Sequence, residues 1–206
     1  MRQKFTFNLS NFYKKNIIYF SKNLRGILKK KKLKENKIKA LDYGCGNCYL
    51  HNFLRFKSLY LFDPNLDRYE LKLKKKIRKF NTFNKLKNNK VKFDLIIINS
   101  VIQYINPKNL RIVIKHLLNK TKKNGIVIIS DIPDRPRWLE ILSFKNLITT
   151  INLFSYFGYS KNYLKLDYYF YKKKIIKLML RKKKCRFEFI RNLNFIKTRY
   201  SIIISK

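Results

Sequence analysis

Four short apolar runs, "KALDY", "SLYLFD", "FDLIIINS" and "GIVIISD", stand between longer lysine-rich stretches whose apolar residues recur at helical spacing. A run that is apolar throughout, rather than at every second position, suits a strand buried on both faces of a parallel sheet. Strands of this kind alternating with helices imply right-handed crossovers and helices on both faces, with ligands taken at the carboxyl ends of the strands. A chain of 206 residues can bury one substantial core, roughly 70% of its unfolded surface, so one domain is expected.

Laid along the chain, the pattern begins with a basic, aromatic-bearing segment over 1–37, predicted helical, that ends in the charged connector "KKKKLKEN". Over 38–131 come the first strand, a predicted helix in "CYLHNFLRF", the second strand, and a solvated helix in "LDRYELKLKKKIRKF". A third strand falls somewhere in 77–92 and the fourth is "KFDLIIINS". The next helix shows both of its ends: Asn106 as cap, Pro107 in the first turn, and lysines before Gly125 as terminator. The fifth strand follows. Residues 132–171, rich in Tyr and Phe, interrupt the alternation and are expected to form a lid, with "ILSFKNLITTINLFSYFGY" as an amphipathic helix. A final helix and two runs able to pair as an antiparallel hairpin fill 172–206.

The first strand runs straight into "LDYGCGNC". Two close glycines after a strand let backbone approach a ligand, and a following helix would add unpaired N–H groups. Asp63 closes the next strand, nineteen residues beyond Gly44, about the separation at which an acid meets ribose hydroxyls in nucleotide-binding units. The dinucleotide fingerprint would place a third glycine at Tyr49, and no acid before the first.

This acid-x-Gly-x-Gly turn resembles the first motif of class I S-adenosylmethionine-dependent methyltransferases, with Cys48 where many members carry a third glycine. The resemblance continues through "LFDPN", "FDLIIINSVIQYI" and "LLNKTKKNGIVIISD". It implies an α/β fold: a Rossmann-like, mostly parallel seven-stranded sheet with an antiparallel C-terminal hairpin, helices on both faces and a helical lid. It implies S-adenosylmethionine as cofactor. Asp42, Tyr43, Gly44, Cys45 and Gly46 would surround its methionine part, Asp63 and Pro64 its ribose, and Asn99 and Ser100 its sulfonium. Asn81 to Phe83 is the expected adenine contact, and Gln103 would lie toward the acceptor.

Asp131, Gln103 and His51 are the catalytic candidates; His116 falls off its helix's apolar stripe and reads as surface, and Asp134 as a helix cap. A metal site is not expected, since the Cys45–Cys48 pair has no second Cys/His pair to complete it. The same pair has redox spacing, but a dithiol would leave Asp63 and the loop after the fourth strand unexplained. That loop reads "NSVIQY", without the proline pair of methyltransferases acting on the amino groups of bases.

The formal charge of +39 suggests a nucleic-acid partner, yet the excess runs the whole length of a chain with one alanine, Ala40, and reads as compositional. The expected activity is therefore methyl transfer to oxygen or nitrogen of a small polar acceptor, with a resemblance to enzymes that modify sugars and glycan precursors. An RNA methyltransferase, or a basic nucleic-acid-binding protein of the same fold, is the alternative. With three cysteines, no apolar run suited to a signal peptide and no transmembrane segment, the expected location is cytoplasmic; the oligomeric state stays open.

Overall fold

The structure is a computed structural model, and it describes residues 2–46, 48–66, 77–134, 169–181, 183, 185–194 and 199–206. Its strands are β1 (Lys39–Tyr43), β2 (Ser58–Phe62), β3 (Ile77–Phe80), β4 (Phe93–Asn99), β5 (Thr121–Pro133), β6 (Arg186–Arg191) and β7 (Arg199–Ser205). The helices are α1 (Arg2–Lys30), α2 (Phe83–Asn88), α3 (Pro107–Lys120) and α4 (Lys173–Arg181). One sheet holds all seven strands in the order β3-β2-β1-β4-β5-β7-β6, and only the pairings of β7 are antiparallel. This is the mostly parallel α/β sheet with a C-terminal hairpin that the sequence pattern predicts.

Alternation along the apolar runs makes two cores from one sheet. Leu95 and Ile97 of β4, with Ile126 and Ile128 of β5, face Phe20, Leu24 and Leu28 of α1. Ile96, Ile98, Val127 and Ile129 face Leu110, Ile114 and Leu117 of α3 and Ile176 and Leu180 of α4. Burying each such side chain contributes about 1.5–3 kcal/mol. The centre of the sheet is therefore a rigid platform, and the loops at its rim inherit fixed starting points. At the head of α3 the Asn106 side chain accepts from Lys108 N at 2.9 Å, and Pro107 occupies the first turn.

Four local expectations are corrected. The helix predicted in "CYLHNFLRF" is a single 3₁₀ turn, Tyr49–Asn52. Cys48 enters it with φ 57, a left-handed conformation, and the chain must be back at Ser58 to begin β2, which leaves no room for a full helix. "LDRYELKLKKKIRKF" does not end as a helix: its last four residues are β3, paired with β2, while residues 67–76 lie outside the described part. The helix α3 stops at Lys120, not at Gly125, because Thr121 already pairs with Phe93. Gly125 serves instead at the register shift between β4 and β5, where a Cβ would stand 3.0 Å from Phe93 O. His116 is half-buried, its ring 5.0 Å from that of Phe83 and its Nε2 without a partner. Burial, then Lys120, Lys87 and Lys92, lower its pKa. The lid expectation falls mainly on residues 135–168, outside the described part, and so does the helix that Asp134 would cap.

Candidate active site

Sequence order in the sheet reverses between β1 and β4, and the loops leaving their carboxyl ends therefore diverge and open a crevice. The glycine bend leaves β1 there. Gly44 N and Cys45 N both donate to Phe62 O, at 2.6 and 3.1 Å, so the bend is tied to the end of β2. Gly44 and Gly46 have φ of 78° and 48°, where a side chain is strained. Their surroundings differ. A Cβ on Gly44 would lie 2.4 Å from Val101 Cγ2, whereas one on Gly46 would meet nothing within 4 Å. The first glycine makes room for the protein's own loop after β4, and the second borders open space.

Asp63, at the end of β2, turns its carboxylate toward that bend. Its Oδ2 accepts from Gly46 N at 3.0 Å and its Oδ1 from Asn65 N at 2.8 Å. Each oxygen keeps a further acceptor position, which suits a pair of hydroxyls. Asp42, in β1, is buried, and that burial, reinforced by the charge of Asp63, pushes its pKa up to about 7. Among the described residues neither acid has an ion-pair partner. Two acids thus lie close together at the ends of β1 and β2, with no cation paired to either among the described residues.

The other residues singled out along this wall divide by what they touch. The Tyr43 ring packs against Phe62, centroids 4.6 Å apart, and belongs to the core; only its backbone lies at the bend. Pro64 is exposed beside Asp63. Cys45 and Cys48 are free thiols with sulfurs 3.3 Å apart. The hydrogen bond between them, burial and the nearby acids all push the Cys45 pKa far up, so it is held as a thiol, the opposite of an activated nucleophile. Asn81 leaves β3 half-buried, whereas Phe83 packs on Phe62 and His116. His51 falls in the 3₁₀ turn after the bend.

The opposite wall is built from β4, β5 and β7. Asn99 closes β4 and its Oδ1 accepts from Asn194 Nδ2 at 2.9 Å. Ser100 has φ 58 and donates through Oγ to Asp131 Oδ2 at 2.6 Å. Asp131 itself has φ 63, and the same Oδ2 accepts from Arg199 Nη1 at 2.6 Å, with both side chains 4% exposed. Asn192 closes the cluster, donating to Asp131 Oδ1 at 3.2 Å and accepting from Asp131 N at 3.0 Å. In the 3₁₀ turn that follows, Ile102–Tyr104, Gln103 is fully buried with neither amide atom bonded, while its carbonyl accepts from Tyr169 N at 2.7 Å. Sequence reasoning missed Val101, Asn192, Asn194 and Arg199. Arg199 carried a signal: it is a charged residue opening an otherwise apolar strand, "RYSIIIS".

A family model described as a methyltransferase domain matches residues 8–184. The chain belongs to that methyltransferase family. Its sheet is that of the class I, Rossmann-like members. No curated protein matches at a significant level. Among solved structures, the plantazolicin methyltransferase BamL, solved with a triazolic desmethylPZN analog and S-adenosylhomocysteine, shares 15% identity at a TM-score of 0.63, over 98% of this chain and 90% of that one. An S-adenosylmethionine-dependent methyltransferase from Clostridium acetobutylicum shares 13% at a TM-score of 0.62, over 91% and 90%. The N-methyltransferase NodS from Bradyrhizobium japonicum, in complex with S-adenosylhomocysteine, shares 14% at 0.57, over 91% and 87%. At such identities the likeness is one of fold.

Elsewhere on the methyltransferase, Arg25, Lys29, Lys32, Lys34 and Glu35 line an open groove of about 460 Å³ with Leu28 and Leu33. Its lining comes from the end of α1 and the connector that leads into the amino end of β1. No described helix is long and apolar enough to cross a membrane, and among the described residues no group of three or more His, Cys, Asp or Glu is arranged to hold a metal.

Proposed function

We propose that this methyltransferase uses S-adenosylmethionine and acts on an oxygen or nitrogen of a small polar acceptor. The observation that carries the reading is the Asp63 carboxylate aimed at the glycine bend, with Asp42 buried beside it and open space at Gly46. A cation-bearing nucleoside fits that chemistry. Asp63 would take the ribose hydroxyls, Asp42 the ammonium, and the open side of Gly46 the backbone's nearest approach. Ser100 and Asn99 would flank the methionine part. When bound, the cofactor supplies a methyl group on a positively charged sulfur.

The chain's own part is to bind, align and exclude water. Alignment alone can account for several kcal/mol of a transfer barrier, roughly 7–11 in the best intramolecular cases. Asp131 lies near the same wall, but its carboxylate already holds an arginine and a serine, and it is poorly placed to take a proton from an acceptor. Gln103 suits recognition better. Leaving a buried amide unbonded costs about 1–3 kcal/mol, and an acceptor offering both a hydroxyl or amine proton and a lone pair would satisfy it. The acceptor class is accordingly small and polar, a sugar-like polyol or an amine. The charge excess runs the whole length of the chain and so does not by itself favour the nucleic-acid alternative.

Calorimetric titration tests the reading directly. S-adenosylmethionine and S-adenosylhomocysteine are expected to bind the wild type, and Asp63→Ala to lose about tenfold to a hundredfold in affinity, on the order of 1.5–3 kcal/mol for charge-assisted hydrogen bonds. Equal affinity in that variant would remove Asp63 from the site. An acceptor screen with methyl-labelled cofactor then identifies the substrate.

A further inference from the structure

Two residues of the β4–β5–β7 wall sit in a backbone region that side chains disfavour, Ser100 at φ 58 and Asp131 at φ 63, and they bond to one another at 2.6 Å. Neither is a glycine, so each conformation costs about 1–2 kcal/mol and persists only where its surroundings enforce it. The enforcement is visible. Arg199 Nη1 reaches Asp131 Oδ2 at 2.6 Å and Asp131 O at 3.4 Å, and Asn192 bonds both the carboxylate and the amide of Asp131. Behind them Ser201 Oγ meets Ser130 Oγ at 2.8 Å and accepts from Leu193 N at 3.1 Å. On the other side, Ser100 N donates to Ser130 O at 3.1 Å, and the next residue is Val101, whose methyls fill the space a Cβ on Gly44 would need.

We infer that Arg199 and Asp131 are positioning residues: through the Ser100 hydroxyl they set the turn that seats Val101 on Gly44, and so fix the glycine bend from across the crevice. The C-terminal strand β7, remote in sequence from the bend, thereby shapes the cofactor's half of the site. An ion pair suits this task better than an apolar contact. A carboxylate locked by a guanidinium accepts the serine proton in one direction only, whereas apolar packing would leave that hydroxyl free to rotate. The inference rests on the proposal that the bend holds S-adenosylmethionine, and the experiment separates the two.

Three variants decide it: Ser100→Ala, which removes only the hydroxyl; Asp131→Asn with Arg199→Met, which removes both charges together so that neither is left buried alone; and all three changes combined. Affinity for S-adenosylhomocysteine is measured by calorimetry, and the Val101 methyl resonances are followed in carbon-13-labelled protein. Ser100→Ala is expected to weaken binding about tenfold, the worth of one charge-assisted bond. It should also move the Val101 methyls. The double variant should do the same, and the triple should bind no worse than the double, because the effects share one path. Unchanged affinity in Ser100→Ala, still Val101 methyls, or a triple variant whose loss is the product of the other two would overturn the relay. Should the double variant not fold, Ser100→Ala decides by itself. A wild type that binds neither cofactor form would instead defeat the underlying reading.

Discussion

The two walls of the crevice hold their acids in opposite ways. On the β1–β2 wall, Asp42 is buried with no cation paired to it among the described residues and Asp63 is spent on backbone amides, around glycines that accept left-handed φ at no steric cost. On the β4–β5–β7 wall, Asp131 is buried with its cation, and the left-handed residues are serine and aspartate, held by hydrogen bonds. On the proposed reading, the first wall gains its positive charge from the ligand. The second already owns its positive charge and uses it to hold shape. A single crevice thus separates recognition from rigidity, and changes on its two sides should fail differently.

The largest effect is expected where a paired charge loses its partner. Arg199→Met leaves the Asp131 carboxylate buried alone, a loss of about 3–5 kcal/mol in other buried pairs, and urea unfolding should show it as a lower midpoint with an unchanged slope. Asp131→Ala, which takes the carboxylate away from the buried Arg199 guanidinium, should fall by a similar amount. If either variant unfolds like the wild type, the ion pair does not hold the second wall, and the contrast between the walls is lost.

Next in size is the pH dependence of the first wall. The pKa of Asp42 rises from 3.8 to about 7 on folding. Between those values the folded protein keeps a proton that the unfolded chain has released. Stability should therefore fall as pH rises from about 4 to about 7 and level off above, by as much as roughly 4 kcal/mol at about 1.4 kcal/mol per unit. Asp42→Asn should flatten that slope, which unfolding curves at several pH values would reveal. Cofactor affinity should move the other way. The carboxylate form attracts an ammonium, so binding tightens through the same window. A wild-type stability profile with no fall between pH 4 and 7 would mean that Asp42 is not the unpaired acid this wall requires.

The walls also differed in how far the sequence disclosed them. The glycine bend and Asp63 lie nineteen residues apart and close consecutive strands, so spacing along the chain stands in for proximity. The strands themselves were legible for the same reason, since two-sided burial leaves an apolar run that local inspection finds. The second wall joins positions 31 and 68 residues apart, Ser100 to Asp131 and Asp131 to Arg199, and no local pattern encodes such a pairing. Asp131 was picked out from its strand end, and Asn99, Ser100 and Gln103 from the resemblance, all without the arginine that ties Ser100 and Asp131 into one cluster. Errors in the local reading had physical causes too. The segment after the bend has helical spacing, but a left-handed Cys48 and the short return to β2 permit one turn only. "IRKF" has helical neighbours, and its pairing with β2 made it a strand.

The two glycines of the bend give the smallest effect and the sharpest discrimination. Gly44→Ala would drive a methyl into Val101 and add backbone strain, disturbing the contact between the walls as well as the first wall. Gly46→Ala meets no protein atom within 4 Å, so in the empty protein it should cost only the left-handed penalty, about 1 kcal/mol. A ligand changes that. If the space beside Gly46 belongs to the cofactor, the added methyl competes with it directly, and affinity for S-adenosylhomocysteine should drop by more than the loss of stability explains. Thermal melts without ligand set beside calorimetry with it separate the two terms. Should Gly46→Ala bind as the wild type does while melting slightly lower, the open side of the bend is solvent rather than site, and the cofactor must approach from elsewhere along the acidic wall.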